Sequence, residues 1–173
     1  MVLNSPSPWL LALVYWLHLL ATGLWVGGLA IVVLFVVPTS RKSLPPEAFS
    51  RLLGSIQRQL SAIGWFCLAL LAATGLLQMS ANPNYHGFLA ITNRWAVAIL
   101  LKHIVFLIIL LVSAYLTWGL GPAVQRAVLL QSIRLEAGTQ ELERLHAQEM
   151  ALMWMNLILA VVVLGLTALA RVS

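Results

Sequence analysis

The sequence predicts an all-α integral membrane protein whose four spanning helices form one bundle in up-down-up-down order. Of the 173 residues, 61% are hydrophobic and only 9% are charged, which is typical of a polytopic membrane protein rather than a soluble domain. Four apolar stretches are long enough for the ~20 residues that a helix needs to cross the hydrocarbon. They cover about residues 9–37, 60–79, 95–119 and 150–170, in a single domain of residues 1–173 with no clear internal repeat.

Proline and glycine mark the expected ends of these helices. The first helix should stop at Pro38 and the third at Gly121-Pro122, because a proline has no N–H for the next helical hydrogen bond. Apolar residues at helical spacing from Glu47 to Leu60 predict an amphipathic lead-in to the second helix. A break is expected at Gly138, before the fourth helix.

The charged residues predict how the bundle sits in the membrane. Two polar connections, residues 38–59 and 120–149, hold seven basic residues, whereas the opposite side holds Arg94 and Arg171. The positive-inside rule then puts both connections in the cytoplasm and both termini outside. All five acidic residues are Glu and none lies within a predicted span, so no carboxylate proton relay is expected.

Two histidines, His18 and His103, lie within predicted spans, where ionisable side chains are costly and usually face the bundle interior or a ligand. His18 lies ten residues after Pro8 and His103 nine after Arg94, so both should sit about 15 Å down parallel helices. Two imidazoles at one depth predict bis-histidine axial ligation of one b-type haem. The alternative is that each histidine only hydrogen-bonds a neighbouring helix.

Further residues complete the expected haem site. Lys102 and Arg94 are candidate partners of the haem propionates, because both lie toward the outer surface. Trp25 follows His18 by one heptad and suits a wall for the ring, while Gly28 lets a flat ligand approach the helix closely. Thr22, one helical turn after His18, is the remaining candidate cofactor-binding residue. Such a protein would carry electrons between a quinone or redox partner and another subunit, with no nucleic-acid partner expected.

Copper transport is an alternative function. His146, Met150 and Met153 fall at i, i+4 and i+7 on one face of the fourth helix, and imidazole and thioether ligands suit Cu(I). His86 in the outer connection is a candidate entry ligand, and Cys67 in the second helix a relay. A third possibility is a structural subunit of a larger complex, or a homodimer, in which all of these side chains serve packing.

The stretch His18-Leu-Leu-Ala-Thr-Gly-Leu-Trp-Val-Gly-Gly28 resembles the first helix of the copper-resistance protein D (CopD) family, whose members carry a histidine followed by Trp-x-Gly-Gly. Thr74-Gly75 and Lys102 are similar to that family and to the membrane protoporphyrinogen oxidases of the HemJ type. In the oxidases, Asn156 would match an asparagine of the fourth helix.

The resemblance implies a four-helix membrane unit. For HemJ-like proteins it implies an oxidoreductase with a b-type haem on His18, and for the CopD family it implies copper passage across the inner membrane. His103 has no place in the shared pattern. Its presence favours a second axial ligand over a copy of the oxidase site.

Overall fold

A computed structural model of the protein describes residues 7–82, 94–132 and 136–172, and nearly all of these are helical. Six α-helices and two π-helical turns follow one another along the chain. They are α1 (Pro8–Ile31), the π turn π1 (Val32–Val36), α2 (Val37–Ser43), α3 (Pro46–Ser80), α4 (Arg94–Ala114), the π turn π2 (Tyr115–Leu120), α5 (Gly121–Ser132) and α6 (Glu136–Val172). The described ranges contain no β-strand.

The predicted all-α fold with four spans is confirmed. Four helical stretches are long and apolar enough to cross a membrane: Pro8–Ser43, Ala48–Ser80, Arg94–Leu130 and Gln140–Arg171. Their outward faces are apolar as well, since Leu19, Phe66 and Leu111 are 67%, 69% and 62% exposed. In water such surfaces would be unfavourable, whereas lipid tails solvate them. The chain is therefore a multi-pass membrane protein in contact with the lipid bilayer.

The expected helix ends at Pro38 and at Gly121-Pro122 are wrong, because a π turn precedes each proline and the helix continues through it. Val37 donates to the Val32 carbonyl and Gly121 to the Leu116 carbonyl, five residues back in each case. Such a widened turn accommodates the ring of the proline that follows and tolerates its missing N–H. The first span therefore runs on to Ser43 and the third through α5.

The polar connections are also more helical than expected. Most of residues 38–59 lie in α2 and α3, with only Leu44 and Pro45 between the two helices. Gly138 lies inside α6, so the expected break there is wrong. With 35 and 37 residues, α3 and α6 are each more than ~50 Å long, well beyond the ~30 Å of the hydrocarbon. We call the end of the bundle that holds the start of α3, with Arg51 and Arg58, and the start of α6, with Arg144, the basic end, and the opposite one the far end.

The spans form two antiparallel hairpins with the same plan. α1 packs mainly against α3, and α4 mainly against α6. In each hairpin the first helix leads into a π turn, then a proline at the second position of the next helix, then the returning helix. Pro38 follows His18 by twenty residues and Pro122 follows His103 by nineteen, so the histidines hold matching positions. The repeat, which the sequence does not make clear, is visible in the secondary structure.

The largest apolar core fills the basic half of the bundle. It includes Phe49, Leu116 and Leu145. Among the described residues, no buried member of this cluster lies on the far side of Val32 in the first span or of Val112 in the third. The far half, which holds His18 and His103, is therefore not filled by this core.

Candidate functional site

His18 on α1 forms a hydrogen bond to Thr74 on α3. Its Nδ1 lies 2.8 Å from the Thr74 Oγ1. The same Oγ1 is 2.6 Å from the Leu70 carbonyl oxygen, which can only accept, so the single hydroxyl proton points there. His18 Nδ1 must then donate to Thr74, and the lone pair of the neutral ring is on Nε2.

His103 on α4 also donates through Nδ1, but to a carbonyl of its own helix. Its Nδ1 lies 2.7 Å from the carbonyl oxygen of Ile99. Since a carbonyl only accepts, this Nδ1 carries a proton. Metal-ligating histidines usually donate their other ring N–H to an oxygen in this way, which fixes the ring orientation. Both rings are half-buried and share this donation through Nδ1.

The register between the second and third spans bears on the relative depth of the two histidines. Ser61 Oγ and Thr117 Oγ1 are 3.2 Å apart, which aligns these positions of the antiparallel helices. Gly75 lies fourteen residues after Ser61, and His103 lies fourteen before Thr117. Gly75 in turn faces His18, because a Cβ added to this glycine would lie 3.7 Å from the His18 Cε1. If the two helices keep this alignment toward the far end, His18 and His103 lie at the same depth in the bundle.

Lys102 and Arg94 supply positive charge on the far side of the histidines. Lys102 is half-buried and close enough to His18 to interact with it electrostatically. Arg94 is the exposed first residue of α4, about two turns away. Helical side chains lean toward the helix N-terminus, which for α4 is the far end, so both side chains lean toward that surface.

The bis-histidine hypothesis requires two imidazoles on different helices, each with its Nδ1 donating to an oxygen. His18 and His103 meet this requirement, and they come from α1 and α4, which make little direct contact with each other. A ligand that spans both rings needs such a separation between the two helix backbones, and the adjacent Lys102 suits an anionic group.

Trp25, Gly28 and Thr22 do not join the histidines in one pocket. Trp25 and Gly28 line a separate cavity two to three helical turns toward the basic end, next to α3 and π2. The Thr22 hydroxyl donates to the His18 carbonyl at 2.7 Å. Thr22 thus satisfies the backbone of its own helix, and Trp25, the predicted wall for a haem, lines this separate cavity.

The chain matches the family DUF4149, described as a domain of unknown function, over residues 20–130, which is more than half of its length. The chain belongs to this family. The DUF4149 match includes Lys102 and His103 and begins two residues after His18. No curated protein and no solved structure matches the chain.

The candidate relay ligands for copper are not assembled in this DUF4149 protein. Its described residues contain no group of three or more His, Cys, Asp or Glu side chains that could hold a metal ion. His18, Cys67 and His103 therefore form no three-ligand cage. Cys67 is 1% exposed within α3, and His86 lies outside the described residues.

The second set of candidate copper ligands lies on α6, near the basic end. Met153 is buried, while His146 and Met150 are half-buried. The His146 ring meets Phe49 edge-on, with 5.6 Å between ring centroids. Its Nε2 is buried and has no hydrogen-bond partner among the described residues. A nitrogen in that state can accept a proton or bind a soft metal ion.

Glu149 is a buried acid that the sequence analysis missed. It is 4% exposed, and its Oε2 has no hydrogen-bond partner among the described residues. It lies inside the apolar span Gln140–Arg171, so the expectation that no acidic residue lies within a span is wrong. The available signal was spacing, since Glu149 lies one helical turn from both Leu145 and Met153, which belong to the buried face of α6.

Proposed function

We propose that this DUF4149 protein binds one b-type haem between α1 and α4 through the Nε2 atoms of His18 and His103, and that it serves electron transfer in the membrane. The observation that supports this most is the matched state of the two rings. Each uses its Nδ1 proton on a fixed oxygen, Thr74 Oγ1 in one case and the Ile99 carbonyl in the other.

The hydrogen bonds at Nδ1 have a chemical consequence for each ring. An acceptor at Nδ1–H raises the basicity of Nε2 and restricts rotation of the ring, which favours metal ligation. His18 and His103 would hold the haem iron, and the haem would supply one-electron transfer rather than oxygen chemistry. Lys102 would balance the charge of a propionate near the far end.

The electron donor in this proposal is a membrane quinol or a redox partner subunit, and the acceptor is another subunit. We also propose that the chain is distantly related to the CopD and HemJ-type proteins, because its His18–Gly28 stretch is similar to theirs. The basic end is proposed to face the cytoplasm of a bacterial inner membrane, because Arg41, Lys42, Arg51 and Arg58 lie there.

Copper binding at the basic end is a second candidate. It is supported by the buried, unpartnered Nε2 of His146 and by two methionines, Met150 and Met153, on the same helix. This set is a weaker basis than the two histidines, because the described residues offer no continuous series of ligands from one end of the bundle to the other. Copper content that falls in H146A and in M150A/M153A would support it.

Haem stoichiometry in single-histidine variants tests the main proposal. The protein, expressed with excess haem precursor and purified in detergent, should contain about one haem b per chain by the pyridine haemochrome assay. H18A and H103A should each lose most of the haem or bind it in a high-spin form, while the control H146A keeps it. Haem-free wild-type protein, or haem that is indifferent to both His18 and His103, would contradict the proposal.

A further inference from the structure

A cavity of about 100 Å³ lies between the two hairpins, on the basic side of the histidines. α1, α3, π2 and α6 all contribute to its walls. It is distinct from the His18–His103 level, because its nearest α1 residues, Leu24 and Trp25, are about two turns further along the helix. None of its lining residues is charged, which disfavours an ionic ligand.

Polar side chains from α3, α4, π2 and α6 line this cavity. The Trp65 Nε1 donates to the Thr117 Oγ1 at 3.3 Å, and Ser61 Oγ approaches the same hydroxyl at 3.2 Å. These side chains line the cavity together with Ser113 and Asn156. They offer a neutral set of hydroxyl, indole and amide groups, which suits a ligand with carbonyl or hydroxyl oxygens.

Asn156 leaves one amide atom without a partner. Its Nδ2 donates to the Ser113 Oγ at 3.1 Å, so the amide does join α6 to α4, but its Oδ1 has no partner among the described residues. The side chain is only 3% exposed. A buried amide atom left in this state is unfavourable, because it has given up its hydrogen bond to water. If the amide oxygen and nitrogen exchanged places, Nδ2 instead of Oδ1 would be the atom without a partner in the cavity wall.

The remaining walls are flat, aromatic and small. The Trp25 indole lies against Gly64, where an added Cβ would be 3.7 Å from its Cδ1 and Nε1. Trp65 stacks on Trp118 with 4.8 Å between ring centroids, which holds the Trp65 indole in place. The Trp25 indole therefore packs directly on Gly64, and together with Trp65 it gives the cavity flat aromatic walls.

The cavity opens toward lipid. Leu24 and Ile63 line it, yet they are 56% and 51% exposed on the outer surface of the bundle. These exposed faces contact lipid tails, so a ligand can enter sideways from the bilayer. A hydrocarbon tail attached to the ligand could remain among the lipids beside Leu24 and Ile63.

We propose that this cavity binds the headgroup of a membrane quinone or quinol. The headgroup is one neutral six-membered ring with two oxygens and an apolar tail, which matches the aromatic walls, the Asn156 amide and the opening to lipid. At about 100 Å³ the cavity is smaller than the ~150 Å³ that admits a benzene ring, so the ring would sit partly in the opening beside Leu24 and Ile63, and a macrocycle would not fit. The proposal concerns binding alone and does not depend on the haem.

A titration with decylubiquinone tests this inference. The wild-type protein in lipid nanodiscs should show saturable quenching of tryptophan fluorescence, because Trp25 and Trp65 line the cavity. G64L should push the Trp25 indole into the cavity and N156L should remove the amide, and each should weaken the affinity roughly tenfold or more. The matched control is G23L, because Gly23 is exposed and has nothing within 4 Å of an added Cβ.

The outcomes separate the two proposals. H18A should bind decylubiquinone like the wild type even if it contains no haem. If circular dichroism shows that G64L does not fold, N156L still tests the inference. The mild variant G64A should fold and bind normally. Non-saturable quenching, or equal affinities in G64L, N156L and G23L, would mean partitioning into lipid or a cavity that holds only water, and would overturn the inference.

Discussion

The hydrogen bond between His18 and Thr74 joins the two helices of the first hairpin, with 2.8 Å between Nδ1 and Oγ1. Thr74 is 3% exposed and also donates to Leu70 in its own helix, so its hydroxyl can only accept from His18. The bond fixes the ring of His18 and leaves Nε2 for another ligand. One threonine thus sets the tautomer, the orientation and the depth of the histidine on which the proposed function rests.

Replacing Thr74 by valine should loosen the haem without removing a ligand. The isosteric T74V leaves His18 Nδ1 without its acceptor, so the ring is free to rotate and Nε2 becomes a weaker donor. We expect haem affinity to fall roughly tenfold, by transfer of haem to apomyoglobin. T167V is the control. Thr167 also donates to a carbonyl one turn back, but among the described residues it forms no hydrogen bond to a histidine. Equal haem loss from both variants would contradict the role of Thr74.

Replacing Glu149 by methionine should stabilise the protein. The carboxyl is buried on the apolar face of α6 with an unpartnered oxygen, and a methionine of similar volume removes that cost. We expect a gain of about 1–3 kcal/mol, seen as a higher midpoint of thermal unfolding in detergent. E143M, at an exposed position of the same helix, should change the stability by less than ~0.5 kcal/mol. Destabilisation by E149M would show that Glu149 has a partner in the membrane.

Gly119 permits the second π turn, and alanine there should destabilise the protein. A Cβ at Gly119 would lie 2.8 Å from the Tyr115 Cδ2, so the tyrosine ring must move off its position and lose the contact of its hydroxyl with Gln148. We expect G119A to cost about 0.5–1.5 kcal/mol. In G165A nothing lies within 4 Å of the added Cβ, and alanine favours the helix. A thermal midpoint of G119A at or above that of G165A would contradict the account.

The sidedness of the bundle can be tested with single cysteines. The native Cys67 is 1% exposed and should resist maleimides until the protein is denatured, which makes C67S a clean background. Exposed Ser43 and Ser80 lie at the basic and the far end respectively. With the basic end in the cytoplasm, a membrane-impermeant maleimide should label S80C in intact spheroplasts and S43C only after lysis. The reverse pattern would invert the proposed orientation.

The number and type of the spans could be predicted from the sequence because lipid imposes one dominant requirement, a long apolar helix. The helix ends could not. Pro38 and Pro122 look like stops, since a proline breaks the regular hydrogen-bond ladder, and only the backbone shows that a π turn precedes each. The likeness of the two hairpins is hidden for the same reason, because it lies in backbone geometry rather than in repeated residues.

The candidate site was predictable only in part. That His18 and His103 are unusual in a membrane span follows from composition, but which ring nitrogen carries the proton depends on Thr74 and Ile99. Trp25 follows His18 by one heptad, so sequence spacing suggested one site, whereas the structure assigns this residue to a separate cavity. Its partner Gly64 lies on another helix, and no pattern within the first span indicates it.

The absorption spectrum of the purified protein, as isolated and after dithionite, tests the central claim most directly. Two axial imidazoles from His18 and His103 predict a low-spin haem, with a Soret band that sharpens on reduction and resolved α and β bands. A folded protein from haem-replete cells with a flat visible spectrum, or with a five-coordinate high-spin haem, would contradict bis-histidine ligation.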